Sequence, residues 1–96
     1  MTPDFVVLTT PRFDRLYHKL FKKHAELRNA YEQAVSILRT DPYNRSRAHI
    51  IRKLVGMQQG DGRYRLRLGR WRFRYDVFGG DVVLSYCGQR REETYR

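Results

Sequence analysis

The stretch that decides the fold is residues 63–77, RYRLRLGRWRFRYDV, in which two kinds of side chain alternate. From Tyr64 to Leu68, aromatic or aliphatic residues alternate with arginines, and the alternation resumes from Trp71 to Val77. Successive side chains of a β-strand point to opposite faces, so a period of two predicts strands. We therefore expect two strands joined at Gly69-Arg70, each with one apolar and one basic side.

Further strands are predicted on either side of this stretch. Gly79-Gly80-Asp81 is typical of a tight hairpin turn, and the apolar run Val82–Cys87 after it predicts the next strand. Near the start of the chain, Phe5–Thr9 is a β-branched, apolar run that predicts a buried strand.

Two amphipathic helices are predicted between the first strand and the arginine-rich stretch. Thr10-Pro11 supplies a hydroxyl cap and a first-turn proline, and the second helix ends at Asp41-Pro42. Apolar residues recur at helical spacing in two stripes: Phe13, Leu16, Tyr17, Leu20, Phe21, and then Leu27, Ala30, Tyr31, Ala34, Ile37, Leu38. Because the link between the stripes is short, we expect an antiparallel helix pair.

Residues 43–62 have no clean period, and the sequence predicts a turn or loop there, anchored by Ile50, Ile51, Leu54 and Val55. The order β-α-α-β-β-β predicts an α+β fold. We expect an antiparallel sheet of about four strands, with the N-terminal helical hairpin packed on one face. Residues 1–96 are enough for one domain with one core.

Composition narrows the class of protein. The formal net charge is +10, which attracts phosphates or an acidic protein. Apolar runs are too short to span a bilayer and no signal peptide is apparent, so we expect a cytoplasmic protein with no membrane partner. Cys87 is the single cysteine, which leaves no internal disulfide.

The basic side of the stretch favours phosphate binding. Strand alternation places Arg65, Arg67 and Arg72 on the face opposite the helices, and residues 63–75 contain no acid. Like charges that face each other across a sheet are destabilising, so stability alone would favour interspersed acids. A solvated basic face is the simpler interpretation, but clustered arginine is the usual electrostatic footprint of nucleic-acid binding.

The sequence gives little indication of a nucleotide-binding loop or a metal site. Gly56, Gly60 and Gly62 do not have the spacing of a phosphate-binding loop, and the three histidines are scattered, so no metal or cofactor is expected. RNA carries its own nucleophile, the 2′-hydroxyl, and arginines can stabilise the charge of its reacting phosphate. A guanidinium stays protonated, however, so it cannot readily accept the proton of that hydroxyl.

Four segments resemble the RelE/ParE toxin superfamily. They are RKLVG at residues 52–56, GRYRLR at 62–67, WRFRYD at 71–76 and GQRREETYR at 88–96. The resemblance implies the toxin of a type II toxin–antitoxin pair, held in a hetero-oligomer by a cognate acidic antitoxin. In the RelE branch it implies an mRNA interferase, a metal-independent endoribonuclease that cleaves mRNA in the ribosomal A site and leaves a 2′,3′-cyclic phosphate.

The resemblance also assigns candidate site residues. Arg65 and Arg67 fall where the RelE branch has two basic residues that act on the 2′-hydroxyl and the leaving group. Arg72 and Arg90 match arginines that hold the scissile phosphate, and Tyr95 matches a tyrosine on which a base stacks. His49 is a possible general base, as histidine is in other branches. Further RNA contacts are expected from nearby basic residues: Lys53, Arg63, Arg70, Arg74 and Arg91.

Two other functions stay open at this point. The ParE branch inhibits DNA gyrase without nuclease activity and generally lacks the full basic and tyrosine set. A non-catalytic basic RNA-binding module would keep the arginines without the chemistry. The presence of Arg72, Arg90 and Tyr95 together favours a ribonuclease.

Overall fold

The structure, a computed structural model, describes residues 4–90. Within that range the chain forms five strands and two helices. In chain order they are β1 (Val6–Thr9), α1 (Pro11–Phe21), α2 (Leu27–Thr40), β2 (Ile50–Lys53), β3 (Tyr64–Leu68), β4 (Trp71–Phe78) and β5 (Asp81–Gln89). The α+β class is therefore confirmed. Tyr95 and Arg91 lie outside the described residues.

Helix α1 begins where its sequence signals predicted. The Thr10 hydroxyl accepts a hydrogen bond from the Phe13 amide at 3.1 Å, and Pro11 occupies the first turn, where no amide is needed. Helix α2 ends at Thr40, one residue before the Asp41-Pro42 stop. The two helices contact each other through aromatic rings, with Tyr31 at 5.8 Å from Phe13 and at 5.2 Å from Tyr17 between ring centroids. Neither helix in this range is long and apolar enough to cross a membrane.

The sheet differs from the prediction of about four antiparallel strands. It has five strands in the order β1-β5-β4-β3-β2, and β1 runs parallel to β5, with Val7 opposite Val82. The α1–α2 pair carries the chain from β1 at one edge of the sheet to β2 at the opposite edge. The last strand, β5, then pairs with β1. The sheet is therefore mixed, and the expectation of a purely antiparallel sheet was wrong.

The additional strand is β2, in the segment predicted as a loop. It pairs antiparallel with β3, with Ile51 opposite Leu66 on the helix side. Ile50 faces away from the helices and is 62% exposed. Apolar residues therefore lie on both sides of this edge strand, and its sequence lacks the alternation of apolar and polar residues that predicts a strand. Val55 was expected to anchor the segment on the core, but it is 100% exposed.

The core lies between the helices and one face of the sheet, as the alternation predicted. Leu66 on β3 and Phe73 and Tyr75 on β4 are fully buried among helix residues that include Phe13 and Leu38. The buried Tyr75 hydroxyl donates a 2.6 Å hydrogen bond to the Pro42 carbonyl, and burial raises the pKa of this phenol. The sheet's other face carries no helix in the described part of the chain.

Two-residue turns connect the three central strands. Leu68 pairs with Trp71 around Gly69-Arg70, and Phe78 pairs with Asp81 around Gly79-Gly80. Gly69 has a φ of 60° and Gly79 a φ of 58°, which is the left-handed region that a hairpin of this length needs at its first turn residue.

Candidate nucleic-acid interface

The arginines of β3 and β4 lie on the helix-free face of the sheet in directly opposed pairs. Arg65 faces Arg74 and Arg67 faces Arg72, whereas Leu66 and Phe73 pair on the helix side. The prediction that Arg65, Arg67 and Arg72 share one face is thus confirmed. We call this surface the arginine face and define it by the residues that its strands contribute: Arg52, Arg65, Arg67, Arg72 and Arg74.

Strand register arranges the arginine face in two rows that cross the sheet. The first row runs from Arg52 on β2 through Arg65 and Arg74 to Tyr86 on β5. The second row contains these side chains in strand order: Ile50, Arg67, Arg72 and Gly88. Each row therefore places guanidinium groups on neighbouring strands, a basic surface that extends over three strands.

The central arginines are also the buried ones. Arg72 is 8% exposed and Arg74 is 9% exposed, whereas Arg65 and Arg67 on the next strand are partly buried. Charges that are partly removed from water interact more strongly than fully solvated charges. Because adjacent guanidiniums repel each other, an anion that bridges them would relieve that repulsion. The surface is therefore suited to bind a polyanion.

Arg74 uses much of its hydrogen-bonding capacity inside the protein. Its Nε donates to the Gly62 carbonyl at 3.2 Å and its Nη2 donates to the Asp61 carbonyl at 2.8 Å. These bonds hold the end of the loop before β3 against the sheet. The structure therefore gives Arg74, a predicted RNA contact, a role in fixing this loop.

Asp76 is the acid that β4 contributes on the same side of the sheet, and it is 1% exposed. Its carboxylate accepts hydrogen bonds from the Gly62 amide at 2.7 Å and the Arg63 amide at 3.1 Å, and it lies 3.9 Å from Arg63 Nε. Gly62 has a φ of 80°, and an added Cβ would lie 3.0 Å from both Arg74 Cβ and Ser85 Oγ. Asp76 thus binds the loop, and Arg63 is directed toward it.

Two other predicted RNA contacts, Arg70 and Lys53, lie away from the arginine face. Arg70, at the turn before β4, forms an ion pair with Glu26, and its Nη2 is 3.2 Å from His24 Nδ1. Lys53 pairs with Tyr64, in the register of the side chains that face the helices, and it is exposed at the sheet edge. Arg90, predicted to hold the phosphate, has an exposed side chain and comes two residues after Gly88, the strand partner of Arg72. Its amide donates to the Arg70 carbonyl at 2.9 Å.

His49, the possible general base, does not join the arginine face. Its amide and carbonyl both bond to the Asn44 side chain, at 3.1 and 2.8 Å, and its Nε2 lies 3.8 Å from Asp41. Burial alone raises the pKa of Asp41, but hydrogen bonds from the Ser46 hydroxyl and the Arg45 and Ser46 amides hold it below its ordinary value. This histidine therefore belongs to an ordered loop after α2.

Sequence reasoning gave no site role to two residues of this surface, Arg52 and Tyr86. Tyr86 is the less expected of the two. It pairs with Arg74, and its ring centroid lies 5.8 Å from Arg74 Cζ and 5.5 Å from Arg12 Cζ at the start of α1.

Strict alternation along β5 would place Tyr86 with Val82 and Leu84 on the core side. Ser85 is an extra residue in the pairing with β4, however, and this bulge turns the next side chain onto the arginine face. The structure instead brings a phenol onto the arginine face.

No three His, Cys, Asp or Glu side chains among residues 4–90 are grouped closely enough to hold a metal ion. Comparisons of the chain with protein-family models, with curated proteins and with solved structures found no match. The interpretation of the arginine face therefore depends on its geometry and on the resemblance of the sequence segments described above.

Proposed function

We propose that the protein is the toxin of a type II toxin–antitoxin pair, and that it is a metal-independent endoribonuclease that cleaves mRNA in the ribosomal A site. The observation that carries this proposal is the pairing of Arg67 with Arg72 and of Arg65 with Arg74 on the helix-free side of the sheet. Guanidinium groups bind phosphate through paired hydrogen bonds, and neighbouring guanidiniums can neutralise one phosphodiester from two sides.

The proposed reaction uses the nucleophile that RNA itself supplies. The 2′-oxygen bonds to the adjacent phosphorus and the bond from phosphorus to the 5′-oxygen breaks. The 2′-hydroxyl proton passes to solvent water, and the departing 5′-oxygen takes a proton from water. Arg72, together with Arg90, holds the phosphate, and Arg65 and Arg67 stabilise the charge that develops on its oxygens. Tyr95, outside the described residues, would supply the stacking surface for a base.

Charge also supports an acidic protein partner. A net charge of +10 attracts anionic partners, and the resemblance names an acidic antitoxin as one of them. We expect tight, salt-sensitive binding of the product of a neighbouring reading frame. Failure of that product to bind would count against the toxin–antitoxin assignment.

A non-catalytic RNA-binding module is the second candidate, and one observation favours it. His49 is held beside Asp41 by the loop after α2, so it does not offer a proton acceptor to the arginine face. Such a module would bind RNA through the same arginines and leave the message intact.

The decisive experiment is induction of the chain alone in bacteria, followed by mapping of mRNA ends and DNA breaks. Wild-type protein should produce cuts within translated codons that end in 2′,3′-cyclic phosphate. Arg67→Ala should reduce cutting at least tenfold, whereas Arg28→Ala, which removes an exposed charge from α2, should cut like the wild type.

Intact messages would refute the nuclease. RNA recovered with the protein but uncut would then support the module, and DNA breaks would support a gyrase-directed toxin.

A further inference from the structure

Helix α1 contributes a basic side chain to the sheet surface through Tyr86. Thr10, which caps the helix, donates its amide to the Leu84 carbonyl of β5 at 3.0 Å, and this fixes the start of α1 beside that strand. Arg12 follows two residues later, with its Cζ 5.5 Å from the Tyr86 ring centroid. The basic surface therefore continues beyond the sheet onto the helix.

Gly88 determines where the Tyr86 phenol lies. A Cβ added at Gly88 would be 2.4 Å from the Tyr86 hydroxyl and 2.9 Å from its Cζ, so the ring occupies the space that a side chain would need. Gly88 is also the strand partner of Arg72. The Tyr86 side chain therefore leans over Gly88, and its hydroxyl lies in the row that contains Arg72.

The ring is held by cations on two elements. Arg74 on β4 and Arg12 on α1 both lie within 6 Å of its centroid, the range of a cation–π contact. Arg74 is itself fixed by the carbonyls of the loop before β3. A phenol restrained in this way loses little freedom when its hydroxyl binds a ligand.

We propose that Arg12 and the Tyr86 hydroxyl, seated over Gly88, form a subsite for a phosphodiester of single-stranded RNA next to the phosphate at Arg72. This proposal rests on the proposed function and adds a contact for the neighbouring nucleotide. Arg12 supplies the charge, and the hydroxyl donates a hydrogen bond to a phosphate oxygen. The surface that binds RNA then extends from Arg65 and Arg67 to the first turn of α1.

The test measures the affinity of the full chain for a short single-stranded RNA that carries 2′-O-methyl groups and cannot be cleaved. Fluorescence anisotropy is recorded over a range of salt concentrations. Arg12→Ala should weaken binding and reduce the slope of log K against log salt by about 0.7, the contribution of one contact to a single-stranded phosphate. Arg15→Ala removes an equal charge from an exposed position on the same helix and should leave the slope unchanged.

Two further variants test the phenol without a change in charge. Tyr86→Phe keeps the ring and loses the hydroxyl, and it should weaken binding about tenfold. Gly88→Ala pushes the phenol away and should cost a similar factor, while the double variant should lose no more than either single variant. Thermal unfolding of each variant checks that the fold is retained.

The outcomes separate this subsite from the proposed function. If wild-type protein shows no salt-dependent RNA binding, the subsite is refuted, whereas the proposed function is refuted only by intact messages after induction. If wild-type protein binds, but Arg12→Ala behaves like Arg15→Ala and Tyr86→Phe binds normally, the subsite is refuted and the function stands. Equal binding of a DNA oligomer, with the same loss in Arg12→Ala, would refute the assignment of RNA as the ligand.

Discussion

Removal of the Asp76 carboxylate should be among the most damaging single changes on the strands. In Asp76→Ala the buried Gly62 amide loses its acceptor, which costs about 1–3 kcal/mol. The part-buried Arg63 amide can reach water, so its loss adds about 1 kcal/mol or less. The Arg63 ion pair, partly exposed at 3.9 Å, adds about 0–1 kcal/mol. Together these losses lower the free energy of unfolding by about 3 kcal/mol.

For a domain of this size, 3 kcal/mol corresponds to a fall in Tm of about 12–24 °C. Circular dichroism over a thermal ramp measures it directly. Asp76→Asn keeps one oxygen for the Gly62 amide and should lose about half as much. Asp81→Ala removes an exposed acid at the start of β5 and should change Tm by less than about 4 °C. A Tm for Asp76→Ala within 4 °C of the wild type would show that the carboxylate does not hold this loop.

Three other changes test the core and the loop after α2. Tyr75→Phe leaves the Pro42 carbonyl without its 2.6 Å hydrogen bond and should lower the free energy of unfolding by about 1–2 kcal/mol, seen as an earlier urea midpoint; an unchanged midpoint contradicts this. Leu38→Ala empties a fully buried position and should cost about 2–5 kcal/mol in the same assay, whereas a cost below 1 kcal/mol would mean that the helix is loosely packed. Asp41 has a lowered pKa when folded, so its stabilising effect is present above the pKa of an unfolded aspartate, about 3.9, and is lost as pH falls through the folded value. Asp41→Asn should therefore flatten the fall in Tm between about pH 5 and pH 2, and an equally steep fall would count against the hydrogen bonds assigned to it.

Local patterns predicted the parts of the fold that local physics determines. The period of two along residues 63–77 is sufficient to divide β3 and β4 into an apolar side and an arginine face, because backbone geometry alone sets that division. The Thr10 cap likewise acts within one turn of its helix. By contrast, the parallel pairing of β1 with β5 joins segments that are more than 70 residues apart, and no local signal encodes it.

The candidate site was likewise predicted only where local alternation determines it. Alternation placed Arg65, Arg67 and Arg72 together, but it could not indicate which arginines bind other parts of the protein. Arg70 is drawn to Glu26 and Arg74 to the carbonyls of Asp61 and Gly62, and each of these partners is distant in the sequence. Arg12 was missed for the same reason, since a helix start and a strand meet only in the folded chain. Tyr86 was missed because a bulge in β5 reverses the alternation that would have placed it on the core side.

The position of β1 at the edge of the sheet has a consequence for the order of folding during synthesis. Its hydrogen-bonding partner, β5, is translated last among the described strands, so the first strand to leave the ribosome waits for the whole sheet. The α1–α2 pair and the β3–β4–β5 meander involve neighbouring segments and can form early, whereas the β1–β5 closure is the slow, long-range step. Because that closure also seats the start of α1 on β5, Arg12 reaches Tyr86 only when the sheet is complete. A nascent chain would therefore carry a finished arginine pair on β3 and β4 before it carries the full surface.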